Sequence, residues 1–274
     1  MTTVPTITLN SGHEIPQLGF GVFKVDPAET ERIVTDALEV GYRHLDTAKI
    51  YGNEEGVGAA IAKSGVAREE LFITTKLWND DQADAQNAFD ASLERLGLDY
   101  VDLYLIHWPT AQRDNYAAAW KTLETIAESG RAGSIGVSNF QVPHLERILS
   151  EGSVVPAVNQ IELHPAFQQR ELRAFQAEHG IHTEAWGPLG QGKYALNELP
   201  GIQEIADAHG KSVQQVAIRW HLQEGIIVFP KSNDRGRMAQ NFDVLDFELT
   251  GEQLDMLRAA DAGNRVGSHP DEVN

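Results

Sequence analysis

At 274 residues the chain has length for one large domain or two small ones, each reading with ample core, and its formal net charge of −18 disfavours general nucleic-acid binding, which needs excess Lys and Arg. The absence of cysteine excludes disulfides, thiolate catalysis and thiolate-bound zinc, and suits a reducing compartment. No apolar run approaches the ~20 residues of a membrane span, and Met1-Thr2-Thr3-Val4-Pro5 lacks the basic and apolar stretches of a signal peptide, so a cytoplasmic protein is expected.

Strand and helix patterns alternate from end to end. A hairpin comes first, with Thr6-Ile7-Thr8-Leu9 and Glu14-Ile15-Pro16 on either side of a turn at Asn10-Ser11-Gly12. Eight strand-like runs follow, at 18–21, 42–46, 71–76, 101–107, 133–137, 157–161, 182–186 and 226–229. Amphipathic helix patterns separate them at 28–40, 54–63, 83–96, 115–128, 143–149, 169–179, 202–209 and 213–223, and a final pair covers 235–241 and 252–261. No Gly/Ser/Pro linker interrupts this order, and Leu18-Gly19-Phe20-Gly21 does not open into the Gly-x-Gly-x-x-Gly of an open nucleotide-binding sheet. The expected fold is α/β: a single (β/α)8 TIM barrel over residues 1–274, with an N-terminal β-hairpin and an extra C-terminal helix.

Three successive strand runs end in acid–base chemistry. Asp46, Lys76 and His107 close the runs beginning at Tyr42, Leu71 and Val101, and Tyr51 follows the first of them. In a parallel barrel the strand C-termini converge on one face, where ligands bind. The pattern therefore gathers a carboxylate, a phenol, an ammonium and an imidazole in one pocket, which is the equipment of an enzyme. Singly each residue has a plainer role: Asp46 as a helix cap, Lys76 and Tyr51 as half-buried surface groups, His107 as a core histidine.

The chain resembles the aldo-keto reductases over nearly its full length. The strongest blocks are Gly41-Tyr42-Arg43-His44-Leu45-Asp46-Thr47-Ala48 with Tyr51-Gly52-Asn53-Glu54, Thr75-Lys76-Leu77-Trp78, and Leu105-Ile106-His107-Trp108-Pro109. Ile135-Gly136-Val137-Ser138-Asn139-Phe140, Asn159-Gln160-Ile161-Glu162 and Pro230-Lys231-Ser232 extend the match. Within the family, Trp186-Gly187-Pro188-Leu189-Gly190-Gln191-Gly192-Lys193-Tyr194 and the ending His269-Pro270-Asp271-Glu272-Val273 are most similar to the bacterial 2,5-diketo-D-gluconate reductases.

The resemblance implies NADPH-dependent reduction of small aldehydes and ketones, with keto-sugar acids and methylglyoxal among the substrates. Asp46, Tyr51, Lys76 and His107 match the family's catalytic tetrad. Tyr51 would act as general acid, Lys76 would lower its pKa, Asp46 would hold Lys76, and His107 would orient the carbonyl oxygen. Ser138, Asn139 and Gln160 match contacts to the nicotinamide carboxamide, Trp186 the aromatic residue stacked on its ring, and Gly187, Pro188, Leu189, Gly190, Gln191 and Gly192 a loop along the pyrophosphate. Lys231, Ser232, Asn233 and Arg237 fall at the 2′-phosphate, Gln240 and Asn241 at the adenine. Phe23, Trp78, His107 and Trp108 are expected to wall the substrate.

Three departures stand out. Trp186-Gly187 replaces the Tyr-Ser of many members. Asn233-Asp234 replaces an apolar and a basic residue, placing a negative charge near the phosphate that Arg235 could offset. Lys49 replaces an alanine and is either solvated or aimed at a substrate carboxylate. Arg265 and His269 lie on a short tail that could close over the pocket.

Two other functions fit parts of the pattern. Glu162-Leu163-His164 puts two possible metal ligands on one face of an extended segment, as in a metal-dependent barrel hydrolase, although no His-x-His or His-Glu-x-x-His motif accompanies them. A nucleotide-sensing barrel without turnover is the non-enzymatic alternative. The only expected partner is a small carbonyl substrate, and a monomer is the default state.

Overall fold

The structure, a computed structural model, describes residues 4–274; residues 1–3, the start of the segment read above for a leader, lie outside the described residues. Strands β1 (Thr6–Thr8) and β2 (Glu14–Pro16) form the antiparallel hairpin, in register Ile7 to Ile15. Eight parallel strands follow: β3 (Phe20–Gly21), β4 (His44–Asp46), β5 (Phe72–Leu77), β6 (Val101–Ile106), β7 (Ala132–Ser138), β8 (Val158–Glu162), β9 (His182–Trp186) and β10 (Ile227–Val228). Each pairs with the next in chain order from β3 to β10. The seam closes where Leu18 bridges Val228, with Gly19 N donating to the Val228 carbonyl at 3.0 Å and Val228 N to the Gln17 carbonyl at 2.9 Å. The expected (β/α)8 barrel is the observed one, and a closed sheet leaves no strand edge exposed.

Among the described residues ten α-helices surround it: α1 (Pro27–Val40), α2 (Glu54–Lys63), α3 (Ala85–Leu96), α4 (Tyr116–Glu128), α5 (Val142–Glu151), α6 (Arg170–Glu178), α7 (Ile202–His209), α8 (Val213–Gln223), α9 (Arg235–Phe242) and α10 (Gly251–Ala259). Local chemistry sets their ends. Asp26 caps α1 by accepting from Ala28 N at 2.9 Å, with Pro27 in the first turn, and Ser212 and Gln215 form a reciprocal capping box on α8. The start expected at residue 83 for α3 is corrected to Ala85, because 79–84 wind as a tighter 3₁₀ turn. The first and last barrel strands are also shorter than expected, at two residues each.

The alternation of period two assigns each strand residue to the barrel interior or to the helices. Interior positions stack in layers. Near the strand N-termini, Phe72, Leu103, Val158 and Ile227 form an apolar floor with Leu9 and Ile15 of the hairpin. The hairpin therefore plugs this end, tied down by Ser11 Oγ to Ser134 Oγ at 2.6 Å and by Asn10 Nδ2 to the Val155 carbonyl at 2.9 Å. His44 lies above the floor, bridging the Pro16 carbonyl (3.0 Å) and Thr74 Oγ1 (3.1 Å). The top interior layer is polar, with Asp46, Lys76, Ser138, Gln160 and Glu184 all buried. Glycine permits one close contact in this wall: a Cβ on Gly136 would stand 2.7 Å from the Val158 carbonyl oxygen.

Candidate active site

A cavity of about 790 Å³ opens at the C-terminal ends of the barrel strands. Lys76, wholly buried on β5, lies beneath it and donates to Asp46 Oδ1 at 2.7 Å, Asp46 Oδ2 at 2.8 Å and the Thr47 carbonyl at 2.8 Å. All three ammonium hydrogens are thereby used, so its position is determined. Burial opposes the Lys76 charge, but Asp46 and Tyr51 outweigh it and hold the ammonium above its ordinary pKa.

Tyr51 ends a 3₁₀ turn, Lys49–Tyr51, that Gly52 closes at φ 67°. Its ring centroid lies 5.2 Å from Lys76 Nζ, 5.1 Å from the Phe23 ring and 5.7 Å from the His107 ring. Here one expectation is corrected. Lys76 does draw the phenol's pKa down, but burial is the larger effect and the net shift is upward. The reason is that Asp46 neutralises much of the Lys76 charge, leaving a desolvated hydroxyl that stays protonated at neutral pH.

His107 follows β6, with Trp78 edge-on at 5.3 Å and Trp108 nearly parallel at 6.4 Å. Burial, reinforced by Lys76, holds it well below the usual histidine range, so it is a neutral imidazole. Its Nδ1 is buried without a hydrogen-bond partner among the described residues. Phe23, Trp78 and Trp108 all line the cavity, which brings the four expected substrate residues together.

The groups assigned to the coenzyme do not all reach the cavity. Asn139, Gln160, Trp186, Gly187, Pro188, Leu189, Gln191 and Lys231 line the cavity. Asn139 holds a left-handed φ of 64°; it donates to the His107 carbonyl and to Ser138 Oγ, both at 3.0 Å, and accepts from the Trp186 indole N–H at 2.8 Å. Ser138 sits behind it, donating to the Gln160 carbonyl at 2.8 Å. Gly190 and Gly192, at φ 68° and 70°, shape the loop without lining the cavity; a Cβ on Gly190 would collide with the Tyr194 ring. Arg237 and Gln240 line a shallow depression on the surface near α9. Ser232 and Asn241 are buried, and Asn233 is exposed.

Charge on this side suits a phosphate dianion. Lys231 is held below its ordinary pKa by burial and then by the repulsion of Lys24 and Arg237, so three cations act on one locality. Asp234 caps α9 by accepting from Arg237 N at 2.8 Å, and its Oδ1 stands 3.9 Å from Arg237 Nε. Much of its charge thus faces the helix N-terminus. Arg235 turns away from this cluster and pairs with Asp36 and Glu39 of α1. Lys49 is paired as well, with Asp81 at 2.5 Å.

Two residues of this region, Lys24 and Glu184, gave no signal in the sequence, and a third, Glu162, takes a part other than the metal ligation weighed for it. Lys24 was an isolated lysine, brought to Lys231 by a left-handed turn at φ 60°. Glu184 is wholly buried in the top interior layer, where Gln160 Nε2 donates to it at 3.0 Å and to Asp46 Oδ2 at 2.9 Å. Glu162 receives Val266 N at 2.6 Å and Gly267 N at 2.8 Å, anchoring the tail, while His164 stands 3.2 Å away. Its oxygens are thus engaged by backbone amides, and among the described residues no three His, Cys, Asp or Glu side chains gather as a metal site would require. Among the described residues no helix is long and apolar enough to cross a membrane. The tail lies over the cavity, with Gly267 against Trp186 and Lys193 Nζ donating to the Val266 carbonyl at 2.6 Å.

A closed parallel barrel with a buried ion pair under a phenol and an imidazole at its C-terminal mouth defines an acid–base enzyme of the TIM-barrel class. The chain belongs to the aldo/keto reductase family, whose profile matches residues 17–262. It is 52% identical over 271 residues to the Yersinia pestis methylglyoxal reductase DkgA, covering 99% of this chain and 98% of that protein. A Brucella melitensis aldo/keto reductase crystal structure superposes with a TM-score of 0.92 at 52% identity, covering 95% of this chain and 99% of the other. The protein Gox0644, solved as a mutant in complex with NADPH, superposes at 0.94 with 44% identity, covering 99% of each chain.

Proposed function

We propose that residues 1–274 work as one domain that reduces small aldehydes and ketones to alcohols with NADPH, Tyr51 giving the proton to the carbonyl oxygen. Keto-sugar acids of the 2,5-diketo-D-gluconate type and methylglyoxal are the favoured substrates. The observation that carries this is the buried Asp46–Lys76 pair, its ammonium 5.2 Å from the Tyr51 ring, beside a neutral His107.

Bound NADPH supplies hydride to the carbonyl carbon. The protein supplies position and proton. His107, uncharged, donates a hydrogen bond to the carbonyl oxygen without competing as an acid, and Tyr51 is held protonated until negative charge develops on that oxygen. As the proton leaves, Lys76 stabilises the phenolate that remains, and Asp46 keeps Lys76 in place. Lys24, Lys231 and Arg237 would hold the 2′-phosphate of the coenzyme, and Trp186 would stack on its ring while Asn139 meets the carboxamide. Support for the substrate class comes from an aromatic wall that accepts both apolar and sugar faces.

The test is NADPH consumption with purified protein against 2,5-diketo-D-gluconate, methylglyoxal and an aromatic aldehyde, with Tyr51→Phe alongside. Turnover lost in the variant while NADPH still quenches tryptophan fluorescence is the expected result. A variant as active as the parent would remove Tyr51 from the proposal.

A further inference from the structure

Glu184 has no place in the chemistry above, yet it is built into the same layer. In the barrel register it pairs with Gln160 on β8 and with Ile227 on β10. The two N–H groups of Gln160 go to two different carboxyls, Asp46 Oδ2 at 2.9 Å and Glu184 Oε2 at 3.0 Å. That arrangement leaves the Gln160 carbonyl as the part of its amide free to face the cavity wall that Gln160 forms. Glu184 Oε1 is buried with no hydrogen-bond partner among the described residues.

The charges around Glu184 come from neighbouring strands. Asp46 faces it from β4 and Lys76 from β5, while β8 offers the neutral Gln160 and β10 the apolar Ile227. Beside that pair stand Tyr51 and a neutral His44, the latter held down to about 4 by burial. Asp46 and Lys76 already satisfy each other, so a Glu184 carboxylate would add a charge with no cation of its own. Burial, followed by Asp46, accordingly pushes the Glu184 carboxyl up to about 8, with Gln160 and Lys76 drawing it back.

We propose that Glu184 is a positioning residue for the carbonyl reduction: acting through Gln160, it aligns Asp46 under Lys76, and its own charge state tunes how strongly Lys76 supports the Tyr51 phenolate. As the neutral acid it leaves Lys76 free to serve Asp46 and Tyr51. Once ionised it competes for the same ammonium, and Tyr51 becomes a weaker acid. The proposal rests on the reading of Tyr51 as proton donor.

Two measurements on the full chain test it. In infrared spectra the wild-type protein should show a protonated carboxylic acid band at pH 6.5 that fades as the pH rises through about 8 and is missing in Glu184→Gln. In the kcat profile for NADPH-dependent reduction, the wild type should lose about threefold to tenfold across the same interval, and Glu184→Gln should lack that step. In wild type alone, the band and the rate step must share one midpoint; separate midpoints overturn the proposal even if the variant fails to fold. Absence of the band at pH 6.5 also overturns it. Coincident profiles from two active proteins overturn this proposal and leave the reductase function standing, whereas a wild type without turnover overturns both.

Discussion

The Trp186 indole donates its N–H to Asn139 Oδ1 across 2.8 Å, so the aromatic wall of the cavity is locked to the strand-end residue that also grips the His107 carbonyl. A residue recognised in the sequence as an enlarged stacking surface turns out to be a hydrogen-bond donor as well. In Trp186→Phe the ring remains and the donor is lost. A neutral hydrogen bond contributes about 1 kcal/mol, so KM for NADPH should rise about fivefold. Steady-state kinetics at saturating carbonyl substrate checks this, and an unchanged KM would show that Asn139 holds its geometry unaided.

Removing one member of a buried ion pair is worse than removing both. Lys76→Met strands the Asp46 carboxylate in the barrel interior, at a cost of about 3–5 kcal/mol in stability. Adding Asp46→Asn removes the stranded charge, and most of the loss should be recovered in the double variant. Urea midpoints of the parent, single and double variants measure the difference; equal midpoints for the single and double variants would contradict it.

The basic cluster makes a contrast between neighbours on α9. Arg237→Ala should raise KM for NADPH about tenfold and leave KM for NADH nearly unchanged, since only NADPH carries the 2′-phosphate. Arg235→Ala should change neither, because Arg235 is engaged with Asp36 and Glu39. If Arg235→Ala instead weakened NADPH selectively, the phosphate would have to sit on the other side of the α9 N-terminus.

Two structural histidines predict acid sensitivity. Burial holds His44 and His221 down to about 4, while in the unfolded chain each protonates near 6.5. Between those values the unfolded state binds more protons than the folded one, so stability is full above about pH 6.5 and falls as the pH drops towards 4. Unfolding free energies from urea titrations between pH 7 and 5 should show this slope. His221→Asn should make it shallower by about one proton, ~1.4 kcal/mol per pH unit.

Glu162 holds the C-terminal tail at two points. Glu162→Ala would leave the Val266 and Gly267 amides unpaired and release Arg265 from its 3.9 Å approach to the carboxylate. Faster hydrogen exchange at Val266 and Gly267 should accompany a higher KM for the carbonyl substrate. Unaltered exchange would mean that the Lys193 contact to the Val266 carbonyl suffices to hold the tail.

Much of the architecture was legible in the chain. Strand and helix periods, strand-end ionisable residues and the lack of a Gly-x-Gly-x-x-Gly turn indicated the barrel and placed Asp46, Tyr51, Lys76 and His107 at one mouth, because parallel strands all end on the same face. Glu184 shows where that legibility stops. Its alternation with Trp186 assigns it to the interior, but the group it meets through Gln160 is Asp46, and Gln160 and Asp46 are 114 residues apart in sequence. Periodicity names the face of a strand and says nothing of which strands look at each other across a closed barrel.

Charges followed the same division. Sequence alone determined that basic residues cluster at 231–237, and the family resemblance marked Lys49 and Asp234 as departures from its nearest members. Only the tertiary structure decided that Lys24 joins the cluster, that Arg235 leaves it for α1, and that Lys49 is paired with Asp81. Residue types set what each group can do, since proton affinity and hydrogen-bond capacity belong to the side chain. Partner and desolvation set what it does, and both arise from contacts between distant segments that exist only once the barrel has closed.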